Sequence, residues 1–240
     1  MTYFTGMVAA VPTANRQKYI DHVGQAWPLF EKHGATRMIE TWGDNVPAGK
    51  VTDFQGAVAA KDDETIVFTW IEWADKAAAD TAWANMEKDP GMEVMADMPF
   101  DGSRMIYGGF TPIMEAGQHS GASYYQGFLL AVPQAKKDAY VTMARDAWDM
   151  FKGYGCLGIA ENWGTDVPHG KQTDMYRATR AEDGEVPVFS WTAWPDRATC
   201  DAAGEKMQAD MDGQDMPEMP FDGQRMIWGG FQTIFDSADA

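Results

Sequence analysis

The sequence predicts an α+β fold: two tandem ferredoxin-like β-α-β-β-α-β modules forming an intramolecular pseudo-two-fold α+β barrel. Three observations lead there. The chain repeats itself, each repeat switches hydrophobic period in the same order, and each sheet would carry a second apolar face needing cover. Sliding the chain by 121 residues aligns Gly6–Met114 with Gly127–Phe235 without a gap, and about 46 of those 109 positions are identical. Glu40-x-Trp42-Gly43 answers Glu161-x-Trp163-Gly164, and Met98-Pro99-Phe100-Asp101-Gly102 answers Met219-Pro220-Phe221-Asp222-Gly223. The stretch from Glu115 to Ala122 is small and polar, as a linker should be. The expected organisation is a first module over 1–114, a linker over 115–123 and a second module over 124–240.

Within a repeat, residues 3–11 are short, apolar and small, and predict a first strand. Tyr19, Val23, Ala26, Trp27 and Phe30 recur at helical spacing, predicting an amphipathic helix over 13–33 that ends at Gly34. Met38, Glu40 and Trp42 alternate, which predicts a second strand. A loop with Gly43, Pro47 and Gly49 follows. Residues 65–73 are β-branched and aromatic and make the strongest strand. Asp75 is placed to cap an Ala-rich helix running toward Asp89-Pro90. A short irregular or helical stretch over 91–98 then precedes a last strand over 103–113. That order is a ferredoxin-like split unit, with both helices on one face of an antiparallel sheet. The other face, rich in Phe, Trp and Met, could not stay wet, so two modules in one chain should bury those faces against each other.

Composition narrows the function classes. With 36 acidic and 19 basic residues the formal charge is −17, and no cluster of Lys or Arg offsets it, so nucleic acid is not an expected partner. No apolar run approaches the roughly 18 residues of a membrane helix. The start lacks the basic and apolar segments of a secretory signal, and Cys156 and Cys200 lack zinc-ligand spacing. A cytoplasmic protein with reduced thiols is expected. So much negative charge repels itself, which suggests a salty environment. The melting temperature is expected to rise between low and roughly half-molar salt as that repulsion is screened, and a flat melting temperature would refute this.

At this level the motifs resemble a family. Trp42-Gly43-Asp44-Asn45-Val46-Pro47-x-Gly49-Lys50-x-Thr52 and Met98-Pro99-Phe100-Asp101-Gly102-x-Arg104-Met105-Ile106-Tyr107-Gly108-Gly109-Phe110 resemble the bacterial domain of unknown function 1428, of the dimeric α+β barrel superfamily. The resemblance covers nearly all of both repeats. It implies modules that pair as homodimers, here fused in tandem, and it brings no established activity. The second copy departs from the first at Thr165 for Asp44, Trp228 for Tyr107 and His169 for Ala48.

Candidate site residues come from recurrence and chemistry. Glu40 and Glu161 share a strand face with Trp42 and Trp163; if that face lines the barrel, they are carboxyls in an aromatic setting, suited to proton transfer. The structural alternative, which is favoured, is that Glu40 pairs with Lys50 or Arg104 to stitch loop to strand. Lys50 and Asp53 recur as Lys171 and Asp174 beside the strand. Arg104 and Arg225 could hold a carboxylate ligand, or pair with Asp101 and Asp222 three residues earlier. Gly108-Gly109 and Gly229-Gly230 mark a bulge or a close backbone approach. Asn162, Trp163 and His169 are residue types of haem-degrading members of the superfamily, without their arrangement along the chain. No cofactor and no metal are therefore expected; His22 and His33, eleven apart on one helix, cannot share an ion. The leading reading is binding of a small, partly apolar molecule inside the barrel without turnover. The alternatives are a cofactor-independent monooxygenase- or isomerase-like enzyme with a buried Glu as acid/base, and a scaffold or assembly protein. A monomer with an internal pseudo-dimer is expected, and further dimerisation is left open.

Overall fold

The computed structural model describes residues 1–212 and 218–239; the expected end of the second module at 240 lies outside them. The first repeat runs β1 (Tyr3–Pro12), α1 (Arg16–Lys32), β2 (Ala35–Asn45), α2 (Phe54–Ala57), β3 (Glu64–Trp73), α3 (Lys76–Met86) and β4 (Ile106–Gly117). The second repeats it as β5 (Tyr124–Pro133), α4 (Lys137–Gly153), β6 (Gly158–Asp166), α5 (Met175–Ala178), β7 (Glu185–Trp194), α6 (Arg197–Met211) and β8 (Ile227–Asp236). The strands close one antiparallel barrel in the order β1-β3-β2-β8-β5-β7-β6-β4. Each repeat supplies a four-stranded half, and the halves join where β2 meets β8 and β4 meets β6.

Local chemistry sets the element ends. Asp75 accepts a hydrogen bond from the Ala78 amide and starts α3, as Asp196 does from Thr199 for α6. Gly34 ends α1 at φ +100°, a backbone state that glycine adopts at little cost. The last strand begins three residues later than its sequence suggests. Asp101 accepts from the Ser103 amide and winds Gly102–Arg104 into a 3-10 turn. The strand also extends to Gly117, because β6 offers partners to Glu115, Ala116 and Gly117, so the first three residues of the expected linker are strand.

Alternation divides the side chains into two layers. Inside the barrel, Phe68 stacks on Phe189 at 4.1 Å and Trp70 on Trp191 at 4.2 Å; each pair joins equivalent residues across the pseudo-two-fold axis. Gly6 and Gly127 make the stack fit, since a Cβ on either would meet the opposing Phe ring at about 2.9 Å. Phe54 and Met175, from α2 and α5, belong to the same interior cluster and are fully buried. Outside the barrel, Met38, Trp42, Val67, Ile71 and Trp73 pack under α1 and α3 together with Tyr19, Val23, Ala26, Trp27 and Phe30. The Gly108-Gly109 pair marks both expected features. The β4–β6 register slips between Gly109 and Phe110, and the Tyr3 hydroxyl would lie 1.8 Å from a Cβ at Gly109. Among the described residues, no helix is long and apolar enough to cross a membrane.

Candidate functional site

Glu40 and Trp42 share a strand face as expected, but that face does not line the barrel. Ile39, next to Glu40 on the opposite face of β2, belongs to the interior cluster, so Glu40 points out beneath α1. The barrel itself is filled by the stacked aromatic rings. The expectation of a ligand inside it is thus corrected in place: the space beside Glu40 lies between the sheet and the helices.

That space is a cavity of about 240 Å³. Its floor is Ala9, Glu40, Val67 and Thr69 from the sheet, and its roof includes Tyr19, His22 and Phe30 from α1. Thr69 lies opposite Glu40 in the β2–β3 register. The Tyr19 hydroxyl donates to Glu40 Oε2 at 2.6 Å. Burial pushes the Glu40 carboxyl up to about 8, against the smaller downward pull of that hydrogen bond. The Tyr19 phenol is driven well above its usual range by burial and by the carboxyl beside it. His22 is lowered by burial, with Asp97 acting in the opposite direction.

The second repeat builds the same pair with different walls. Tyr140 donates to Glu161 Oε2 at 2.5 Å, and burial raises Glu161 to about 7. Leu130 stands where the first repeat has Ala9, Phe128 replaces Met7, and Gly204 replaces Trp83. A groove of about 690 Å³ runs along α4 by Met143, Ala147 and Met219, and Glu161 does not line it.

The other candidate residues are placed elsewhere. Trp42 lies under the Arg16 guanidinium at 5.7 Å and Trp163 under the Lys137 ammonium at 4.8 Å. Neither Glu40 nor Glu161 pairs with a lysine or arginine among the described contacts; the tyrosines take that role. Asp53 caps α2 through the Gly56 amide and also accepts from Gly49, and Asp174 does the same for Arg177 and Gly170. Lys50 and Lys171 are exposed on the loops before those caps. His169 is exposed, its ring 4.5 Å from Tyr176 and its Nδ1 3.8 Å from Asp174. Arg104 forks onto Glu64 at 2.6 and 2.7 Å and also reaches Asp101 and the Ala59 carbonyl. Arg225 repeats this with Glu185, Asp222 and the Arg180 carbonyl. The structure therefore brings Glu40 alone of the candidates to the cavity. Tyr19, His22 and Thr69 were missed, although Tyr19 and Tyr140 recur in phase with the two glutamates.

The model for the family described as "Protein of unknown function (DUF1428)" matches residues 2–102 and again 123–223. The uncharacterised protein YbaA of Escherichia coli K12 is 50% identical over 114 residues, which is 47% of this chain and 97% of YbaA. Among solved structures, an anthrone oxidase-like protein superposes with a TM-score of 0.57 at 11% identity, covering 98% of this chain and 92% of that one. A candidate monooxygenase of Fusobacterium nucleatum superposes at 0.56 with 10% identity, covering 98% and 93%. At such identity the likeness speaks for the fold alone. With most of each repeat matched, this chain belongs to the family of proteins of unknown function DUF1428, as a tandem pair of its module.

Proposed function

We propose that this chain binds a small, mostly apolar molecule carrying one oxygen function in the cavity beneath α1, and that Glu40 exchanges a proton with that oxygen. One observation carries the reading: a mostly apolar cavity holds a carboxyl whose pKa burial has moved close to neutrality. An acid/base works best when its pKa lies near the operating pH. Tyr19 fixes Oε2, which orients the group. The volume lies just below the ~300–1,000 Å³ common for ligand pockets, which favours a compact ligand. Retention without turnover needs only this geometry. As an enzyme, the same site would take a proton from an acidic O–H or C–H of the ligand.

Thymol, compact, uncharged and with one hydroxyl, is a suitable calorimetric probe. At about pH 6 it is expected to bind one site per chain, and Ala9→Leu, which copies Leu130, should weaken it about tenfold or more while the melting temperature holds. As pH rises through the Glu40 midpoint, wild-type affinity should fall, because the probe would then dehydrate a carboxylate. Glu40→Gln should bind thymol with no such pH dependence. Equal affinity in wild type and Ala9→Leu would overturn the reading.

A further inference from the structure

The Glu40 cavity shares a wall with a second space. Met7, Trp83 and Met105 line both the cavity and a surface groove of about 540 Å³. The groove continues over Tyr107 and the side-chain-free Gly108-Gly109, and its far side is Asp166 and Pro168 from the other repeat. Trp83 and Tyr107 are 38% and 49% exposed, unusual for large rings in a chain that buries most of its aromatics. The Trp83 indole rests edge-on against Phe30, itself a cavity wall, at 5.8 Å. The partition is therefore two thioether chains, which change rotamer readily, and one half-exposed indole.

We propose that cavity and groove are two parts of one site for an elongated molecule, with an oxygen head at Glu40 and an apolar tail that passes Trp83 and lies across Tyr107 toward Pro168. This rests on the reading of the cavity as a ligand site and adds the shape of the ligand. The tail would cover the exposed rings, which the compact ligand of the cavity alone would leave in water. It also makes the site a product of both repeats, since Pro168 and Asp166 come from the second. The equivalent route in the second repeat is altered at three positions: Phe128 stands for Met7, Leu130 for Ala9 and Gly204 for Trp83. One elongated ligand per chain is the result.

Straight-chain alcohols test this by calorimetry on the full chain. If the tail leaves the cavity for the groove, affinity should keep rising from hexanol to decanol by about fourfold for each added methylene. Met7→Phe, taken from Phe128, should block the passage and abolish the gain of decanol over hexanol; because Met7 also lines the cavity, the readout is the chain-length gain within the variant and not its hexanol affinity. Trp83→Gly, taken from Gly204, should cut the gain of decanol over hexanol by removing the wall the tail lies on, read again as the chain-length gain within the variant. Decanol binding no tighter than hexanol in wild type, or a decanol gain that survives both substitutions, would overturn the proposal while the cavity reading stood. Hexanol binding that Ala9→Leu leaves untouched would instead overturn the cavity reading, and this proposal with it.

Discussion

Between pH 5 and 9 the wild-type chain is expected to lose stability that a Glu40→Gln, Glu161→Gln double variant keeps. Both carboxyls are buried, and burial raises them from 4.5 to about 8 and about 7 respectively. A group held above its unfolded value binds more protons in the folded state between the two pKa values, so stability falls as pH rises through that window. For Glu40 the loss starts near 4.5 and is complete just above 8; for Glu161 it is complete about one unit earlier. Shifts of this size correspond to a loss on the order of 3–5 kcal/mol per carboxyl at the alkaline end. That is a large fraction of a typical net stability. Gln keeps the shape and a polar contact for the tyrosine hydroxyl, and it has no charge to desolvate. The two proteins should melt close together at pH 5 and diverge steadily toward pH 9, with the variant higher. The rest of the acidic surface is common to both and cancels in the difference. Melting curves that stay parallel across the whole range would refute the buried, proton-holding state of these groups.

The tandem architecture was legible because two independent signals agree. The 121-residue offset aligns strand with strand, and Asp75 and Asp196 mark the same helix start in each copy. The glutamates were legible as well, since an acid between apolar residues in both copies calls for a reason. Which way they point was not. Alternation with period two puts Glu40 and Trp42 on one face, yet it does not say whether that face looks into the barrel or under the helices. Tyr19 was hidden for a related reason: at helical spacing a phenol reads as one more packing residue, and its hydroxyl finds Glu40 only once the helix lies on the sheet. Recurrence also selected residues whose shared task is closure of the fold. Asp53 and Asp174 cap short helices, and Arg104 and Arg225 tie loops, because a pseudo-symmetric barrel needs the same closures twice. The differences between copies say more about the cavity, where Ala9 became Leu130 and Trp83 became Gly204, and they acquire meaning only when those positions meet across it.

Arg104 is expected to be among the most costly side chains to remove, and for structural reasons. Its side chain is 8% exposed and that of its partner Glu64 3%, and the pair is bidentate. Those hydrogen bonds hold Glu64 below the usual carboxylate range against the upward push of burial, and removing the arginine takes that support away. The same guanidinium also holds the carbonyl of Ala59, whose φ of +47° is a left-handed state that a residue with a Cβ adopts only at a cost. Arg225 repeats the arrangement on Arg180, at φ +49°. Arg104→Met would therefore strand a buried carboxylate and release a strained turn together. The expected loss is about 3–5 kcal/mol in denaturant unfolding, the range for breaking one side of a buried pair. Adding Glu64→Leu to the same chain should recover most of it, because an apolar pair of similar volume carries no desolvation penalty. Arg225→Met should cost a similar amount in the second repeat, and neither single variant should change thymol affinity, since both clamps lie outside the cavity walls. A loss below about 1 kcal/mol with weakened thymol binding would reverse the assignment, making Arg104 a ligand contact and not a clamp on the fold.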